Sequence, residues 1–271
     1  MNKKLLYVII ITTVLPLLVF TQTRTEINLE NNWKFQKGAH DNAYLTSFND
    51  DKWEAVTVPH DWAIYGPFDK EIDKQEVAIS QNGENSATEK TGRTGALPYI
   101  GEAWYRNKFK LPEFNQDKKV IIVFEGAMSE PKVFVNGQKI GQWNYGYSYF
   151  YFDITDYVKA NATNTLAVNL SNNGMSSRWY PGAGLYRKVR IVVKNKDHIK
   201  QWGTFITTPF ISKNQAKVNI KTKVEGENLS LLTKVYNADG NLVAQDQTKS
   251  IFGDEIEQNI EVINPNCQHL V

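Results

Sequence analysis

Short alternations of apolar and polar residues with period two recur along most of this chain, separated by turn-forming residues, and no 3.6-residue apolar period follows Glu26. Successive side chains of a strand point to opposite faces, so a chain patterned this way buries its apolar residues by stacking sheets. Ala103 to Leu111 shows the pattern best. Ala103, Tyr105, Asn107, Phe109 and Leu111 fall on one face and Arg106, Lys108 and Lys110 on the other, which predicts a half-buried strand. Val120 to Phe124 is continuously apolar, as expected of a strand covered on both faces. Lys132 to Val135 leads into Asn136-Gly137, a pair that supplies the two positive φ values of a type I′ turn, so Gln138 to Gly141 should fold back along it. Tyr149 to Ile154, Thr165 to Ser171 and Lys188 to Val193 continue the series. Many short strands with turn punctuation predict an all-β two-sheet sandwich or jelly roll.

The last third is simpler. Val218, Ile220, Thr222 and Val224 alternate with Lys217, Asn219, Lys221 and Lys223, which sets a core face against a solvent face. Leu229 to Tyr236 and Leu242 to Ala244 flank an Asp239-Gly240 turn, and Glu255 to Ile263 offers another strand. This pattern predicts the start of an immunoglobulin-like sandwich. That fold needs about seven strands and roughly 100 residues, more than follow Thr207, so the second sandwich is expected to be incomplete. The expected organisation is a jelly roll over 26–200 and a truncated immunoglobulin-like unit over 205–271. The boundary should fall near His198 to Thr208, with Pro209 interrupting the strand signal. Lys70 to Ile100 is polar, contains Gly83, Gly92 and Gly95 and shows no period, so it reads as a long loop, functional or disordered.

Lys3 and Lys4 precede an apolar run, Leu5 to Phe20, broken only by Thr12, Thr13 and Pro16. The run is shorter than the roughly 20 residues that span a bilayer, so residues 1–22 read as a signal peptide, with an uncleaved anchor as the alternative, and the protein as exported, periplasmic or extracellular. The net charge of +2 resides in that leader, and the remaining body is neutral. A neutral body with no basic block argues against nucleic acid as a partner. Cys267 is the only cysteine, which excludes an internal disulfide and a cysteine-built zinc site. Seven Trp, thirteen Tyr and thirteen Phe exceed what a core of this size requires. Such a surplus lines a large sandwich core or a surface that stacks on flat ligands.

No Gly-x-Ser-x-Gly elbow, P-loop or dinucleotide fingerprint occurs, and His40, His60, His198 and His269 lack metal-ligand spacing, so no cofactor or metal is expected. A glycosidase needs two carboxylates roughly 5 to 9 Å apart. No acidic pair is singled out by its surroundings here, and no catalytic residue is assigned. Three stretches remain. Pro59-His60-Asp61-Trp62 ends a strand-like stretch, where a carboxylate, an imidazole and an indole together could bind sugar hydroxyls and stack on a pyranose face. The plainer reading is that Asp61 caps a turn and Trp62 fills the core. Ser177-Arg178-Trp179-Tyr180-Pro181-Gly182-Ala183-Gly184-Leu185-Tyr186-Arg187 is a constrained loop in which Arg178 beside Trp179 could clamp hydroxyls or carboxylates; alternatively Arg187 pairs with a core acid and the aromatics pack. Along Trp143 to Phe152, alternation sends Tyr147, Tyr149 and Tyr151 one way and Phe150 and Phe152 the other, and both sets are expected in the core.

Taken in order, these stretches resemble the N-terminal part of glycoside hydrolase family 2 enzymes of the β-galactosidase, β-glucuronidase and β-mannosidase group. Asn32-Trp33-Lys34-Phe35 resembles the family's opening strand, and Trp53 through Pro59-His60-Asp61-Trp62 its hallmark after the first strands. Gly101-Glu102-Ala103-Trp104-Tyr105-Arg106, Phe124-Glu125-Gly126 and Val133-Phe134-Val135-Asn136-Gly137 are similar to three further family elements. Gly146-Tyr147, Phe152-Asp153-Ile154-Thr155, Arg178-Trp179-Tyr180 and Gly184-Leu185-Tyr186-Arg187 complete the series, with secreted bacterial β-galactosidases as the nearest likeness. The resemblance implies a jelly-roll sugar-binding domain, an immunoglobulin-like sandwich and a TIM barrel with two catalytic glutamates. The family's general acid follows an asparagine, and no Asn-Glu dipeptide occurs here. The implied function is therefore sugar recognition for a barrel supplied by the same enzyme, with a β-galactoside or related glycan as partner and no activity of this region alone. By position, Asp61 and Arg178, with His60 and Trp179 beside them, would hold the substrate. A freestanding carbohydrate-binding module is the alternative.

Overall fold

The computed structural model describes residues 24–65, 69–71, 74–91, 101–114, 117–172, 182–250 and 254–265. The expected leader, Cys267 and His269 lie outside them. The described residues contain strands and two short 3-10 turns but no α-helix, so the all-β expectation holds.

Two antiparallel sheets form the first sandwich. One has the order β1 (Arg24–Asn28), β12 (Val189–Asn195), β7 (Lys118–Phe124), β10 (Phe150–Asp153). The other runs β3 (Glu54–Val56), β2 (Trp33–Lys37), β6 (Gly101–Lys110), β11 (Thr163–Asn172), β8 (Lys132–Val135), β9 (Gln138–Gln142). Inward residues of both sheets share one core. Trp33, Phe35, Tyr105 and Phe109 come from the six-stranded sheet, and Ile122, Phe124, Phe150 and Ile191 from the four-stranded one. Buried Trp33 donates its indole N–H to the Leu29 carbonyl at 2.8 Å, so this ring enters the core with its donor paired. Asn136 and Gly137 have φ of 49° and 85°. The type I′ hairpin expected there joins β8 to β9 as paired neighbours.

Three expectations need correction. First, β6 is not half solvated along its length, because Trp104 and Arg106 are buried on its outer face. Residues 38–53 fold over that face: Trp104 packs with Ala43 and Trp53, and Arg106 Nε pairs with Asp50 Oδ2 at 2.6 Å. Alternation in a sequence shows two faces but not what a distant loop lays on them. Second, the aromatic stretch divides. Phe150 is buried, whereas Tyr149, Tyr151, Trp143 and Tyr145 are exposed. Third, the aperiodic segment from Lys70 contains a hairpin, β4 (Lys74–Val77) with β5 (Thr88–Thr91). Its cross-strand contacts are polar, such as Lys74 with Glu89 at 2.9 Å, so it carries no apolar alternation to read.

The second unit begins directly after β12. β13 (His198–Ile211), β14 (Gln215–Glu225) and β17 (Glu255–Ile263) form one sheet, and β15 (Leu229–Tyr236) and β16 (Leu242–Ser250) form a hairpin. Ala216, Ile220, Thr222 and Val224 are buried on one face of β14, opposite Ile256, Ile260 and Val262 of β17. Buried Gln258 ties the two layers: its Oε1 accepts from Thr233 Oγ1 at 2.6 Å and its Nε2 donates to the Leu231 and Asp246 carbonyls. The strand β13 runs through the expected boundary, and Pro209 sits inside it. β13 is an edge strand whose pairing shifts between Thr207 and Phe210, so the missing N–H of proline is tolerated there.

Candidate functional site

Beyond β3 the chain runs along one end of the first sandwich and is held by backbone hydrogen bonds. His60 N donates to Leu185 O at 2.8 Å and Trp62 N to Ala183 O at 2.9 Å. Gly184 in turn exchanges bonds with Met128, with N to O at 2.8 Å and the reverse at 2.9 Å. Three segments remote in sequence thus form a small irregular sheet. Gly184 is required at its centre: its φ is +135°, and a Cβ there would lie 2.3 Å from the His60 carbonyl and 2.7 Å from the Tyr105 hydroxyl.

His60 Nδ1 stands 2.7 Å from the Tyr105 hydroxyl, and its ring meets Phe35 edge-on at 4.9 Å. Burial lowers the His60 pKa, against the raising influence of Glu54 and Asp61. Burial pushes the Tyr105 phenol well above its ordinary value, opposed by a hydrogen bond from the Leu185 backbone. The lowered pKa favours a neutral imidazole bonded through Nδ1 to the phenol, with the donor and acceptor roles set by its tautomer. The result is a positioned, uncharged imidazole at the end of the sandwich.

Asp61 is buried at 6% exposure, and its Oδ1 accepts the N–H groups of Ala63 at 2.8 Å, Ala183 at 3.2 Å and Ile64 at 3.3 Å. It therefore closes its own turn and ties that turn to the Gly184 loop. Trp62, at 5% exposure, stacks on Phe35 at 5.5 Å. The plainer reading of the tetrad, a turn cap and a core ring, describes these contacts. Arg178 and Trp179 lie outside the described residues. Of the same motif, Gly182 to Leu185 are buried and Arg187 is exposed, its guanidinium 5.4 Å from the Tyr186 ring rather than against a core acid. Tyr186 donates to the Gly146 carbonyl at 2.9 Å. Gly126 leaves room for that ring, since a Cβ there would come within 2.8 Å of it.

Tyr105 is the participant that sequence reasoning placed only in the core. Its inward position on β6 was legible, but the hydroxyl's partner comes from a loop forty-five positions away and has no local signal. Among the described residues no group of three or more His, Cys, Asp or Glu side chains could hold a metal ion.

An antiparallel two-sheet sandwich that presents a half-buried imidazole and a buried carboxylate at one end, followed by a second β unit, defines a galactose-binding-like architecture. Residues 93–179 match the glycosyl hydrolase 2 galactose-binding domain-like family, and the chain corresponds to the N-terminal portion of family 2 glycoside hydrolases. It is 32% identical over 252 residues to a β-galactosidase of Bacteroides ovatus, covering 91% of this chain and 27% of that protein. A β-glucuronidase of Formosa agariphila is 27% identical over 252 residues, covering 83% and 24% respectively. The solved structure of a β-glycosidase from Bacteroides vulgatus is similar with a TM-score of 0.76 at 27% identity, over 90% of this chain and 30% of that one. The chain thus spans about a quarter to a third of the length of these relatives.

Proposed function

We propose that this chain is the sugar-recognition region of an exported β-galactosidase-type glycoside hydrolase, and that it acts with a TIM barrel of the same enzyme. The supporting observation is the match of 91% of the chain to 27% of a β-galactosidase, together with a family match that falls on the first sandwich. In this reading the barrel supplies two glutamates for retaining hydrolysis of an O-glycosidic bond by double displacement. The region described above supplies one wall of the pocket. His60 offers a neutral imidazole, Asp61 fixes the loop that carries it, and Arg178 with Trp179 holds the non-reacting hydroxyls of the terminal sugar. The second β unit is the start of an immunoglobulin-like sandwich between that wall and the barrel. The lysine pair and apolar run at the start of the sequence support export.

Two experiments test this reading. Sequencing the gene beyond Val271 should reveal a reading frame for a barrel carrying an Asn-Glu dipeptide; a long stretch without coding capacity would contradict it. Arg178→Ala in the whole protein should lower turnover on short β-galactosides by about tenfold or more, the value of a lost charge-assisted contact, and unchanged kinetics would remove Arg178 from the site.

A further inference from the structure

The outer face of the six-stranded sheet carries a cavity of about 270 Å³ between β6, β11, β8 and the loop over 38–53. Its residues are not those of the sandwich end. Trp104 and Tyr105 are adjacent on β6 and point to opposite faces: Tyr105 holds His60 inside, while Trp104 belongs to the wall of this outer cavity. No sugar in one place can touch the other.

The wall has two kinds of surface. Phe134 stacks with Tyr44 at 5.3 Å and 27° and lies 5.8 Å from Trp104 at 32°, so three rings form a continuous aromatic strip. Glu102, Asn169, Lys132 and Asp41 supply acceptors and donors beside it. Two buried donors in this wall have capacity left over. Trp104 Nε1 has no hydrogen-bond partner among the described residues. The amide nitrogen of Asn169, a residue only 3% exposed, reaches Glu102 Oε2 and Ala103 O only at 3.5 Å. Buried donors are nearly always satisfied, so a wall that leaves one unpaired and another at the limit of bonding distance asks for an acceptor from outside. Rings for an apolar face and polar groups for a hydroxylated rim are the complement of a pyranose. The volume admits one ring rather than a chain, being below the roughly 300 Å³ at which drug-sized sites begin.

We propose that this cavity is an accessory binding site for a hexopyranose, separate from the wall that faces the reaction and independent of it. The test is titration of the full chain with methyl β-D-galactopyranoside and methyl β-D-glucopyranoside, followed by tryptophan fluorescence and calorimetry. The expected result is millimolar binding of at least one of these glycosides, about tenfold weakening in Glu102→Ala, and no change in Tyr151→Ser, an exposed position on the other sheet. Trp104→Phe keeps the wall aromatic and should abolish the fluorescence change, which keeps the site assignable if Glu102→Ala does not fold. Binding lost in His60→Ala and kept in Glu102→Ala places the sugar at the sandwich end and overturns the proposal. So does the absence of any binding of these glycosides.

Discussion

Asp61 shows how one side chain can be read in two ways and where its energy lies. The carboxylate accepts three backbone N–H groups, and leaving such buried donors unsatisfied costs about 1 to 3 kcal/mol. Asp61→Ala should therefore destabilise the chain by about 2 kcal/mol in urea unfolding, whether or not a sugar is present; a loss below about 0.5 kcal/mol would show that the turn does not depend on it. Arg106 carries a heavier cost. Its guanidinium is 1% exposed and donates to Asp50 at 2.6 Å and to the Leu45 carbonyl at 3.1 Å, with the Phe48 ring 5.3 Å away. Removing one partner of such a pair costs about 3 to 5 kcal/mol, and Asp50→Ala is expected in that range. His60 gives the pH dependence. Burial holds its folded pKa below the ordinary 6.5, so as pH falls below about 6.5 the unfolded chain takes up a proton that the folded chain resists. The contribution is complete above 6.5 and is lost with acid. His60→Gln should flatten the stability profile between pH 6.5 and more acid values, and an unchanged acid slope would refute the burial argument. The residue types at Asp61, Trp62 and Arg106 were legible in the sequence, but their partners were not. Arg106 looked solvent-facing because its acid, Asp50, lies fifty-six positions earlier in a loop without period.

Strands were the most legible elements because alternation is written locally. The Asn136-Gly137 turn held in full, and the structure adds a reason for asparagine beyond its φ. Its amide donates to the Tyr157 carbonyl and to Asn164 Oδ1, both at 2.8 Å, and its oxygen accepts from Thr165 N at 2.9 Å. The aromatic strand β10 was legible in its alternation and not in its depth. Phe150 stacks on Phe124 at 4.8 Å inside the core, while Tyr151 points outward at 43% exposure. Phe150→Ala should cost about 3 to 5 kcal/mol, whereas Tyr151→Ser should stay within about 1 kcal/mol; equal effects would mean that the register of β10 is wrong. Gly184→Ala is the sharpest test of the irregular three-segment sheet. The added methyl would displace the His60 carbonyl, so the variant should fold poorly or release the His60–Tyr105 contact, visible as a His60 pKa returning toward 6.5. The β4–β5 hairpin escaped sequence reasoning because polar ladders leave no hydrophobic trace.

On the scale of the whole chain, two β units meet through aromatic rings rather than a linker. Trp202, at a φ of 50° in the irregular part of β13, lies 3.8 Å from Tyr149 and 5.4 Å from Tyr151, and Lys119 of β7 reaches Glu225 of β14 at 3.8 Å across the same junction. Part of the aromatic surplus is thus spent at this junction. The chain corresponds to about a quarter to a third of its glycosidase relatives, and the reading proposed here is that it recognises sugar for chemistry performed elsewhere in the same protein. Steady-state hydrolysis of p-nitrophenyl β-D-galactopyranoside by the complete gene product, wild type against Arg178→Ala, tests that reading most directly. The account predicts measurable turnover by the wild type, with kcat/KM lowered about tenfold or more in the variant. Absence of hydrolysis of any β-galactoside by the complete product, or equal kcat/KM for the two proteins, would contradict it.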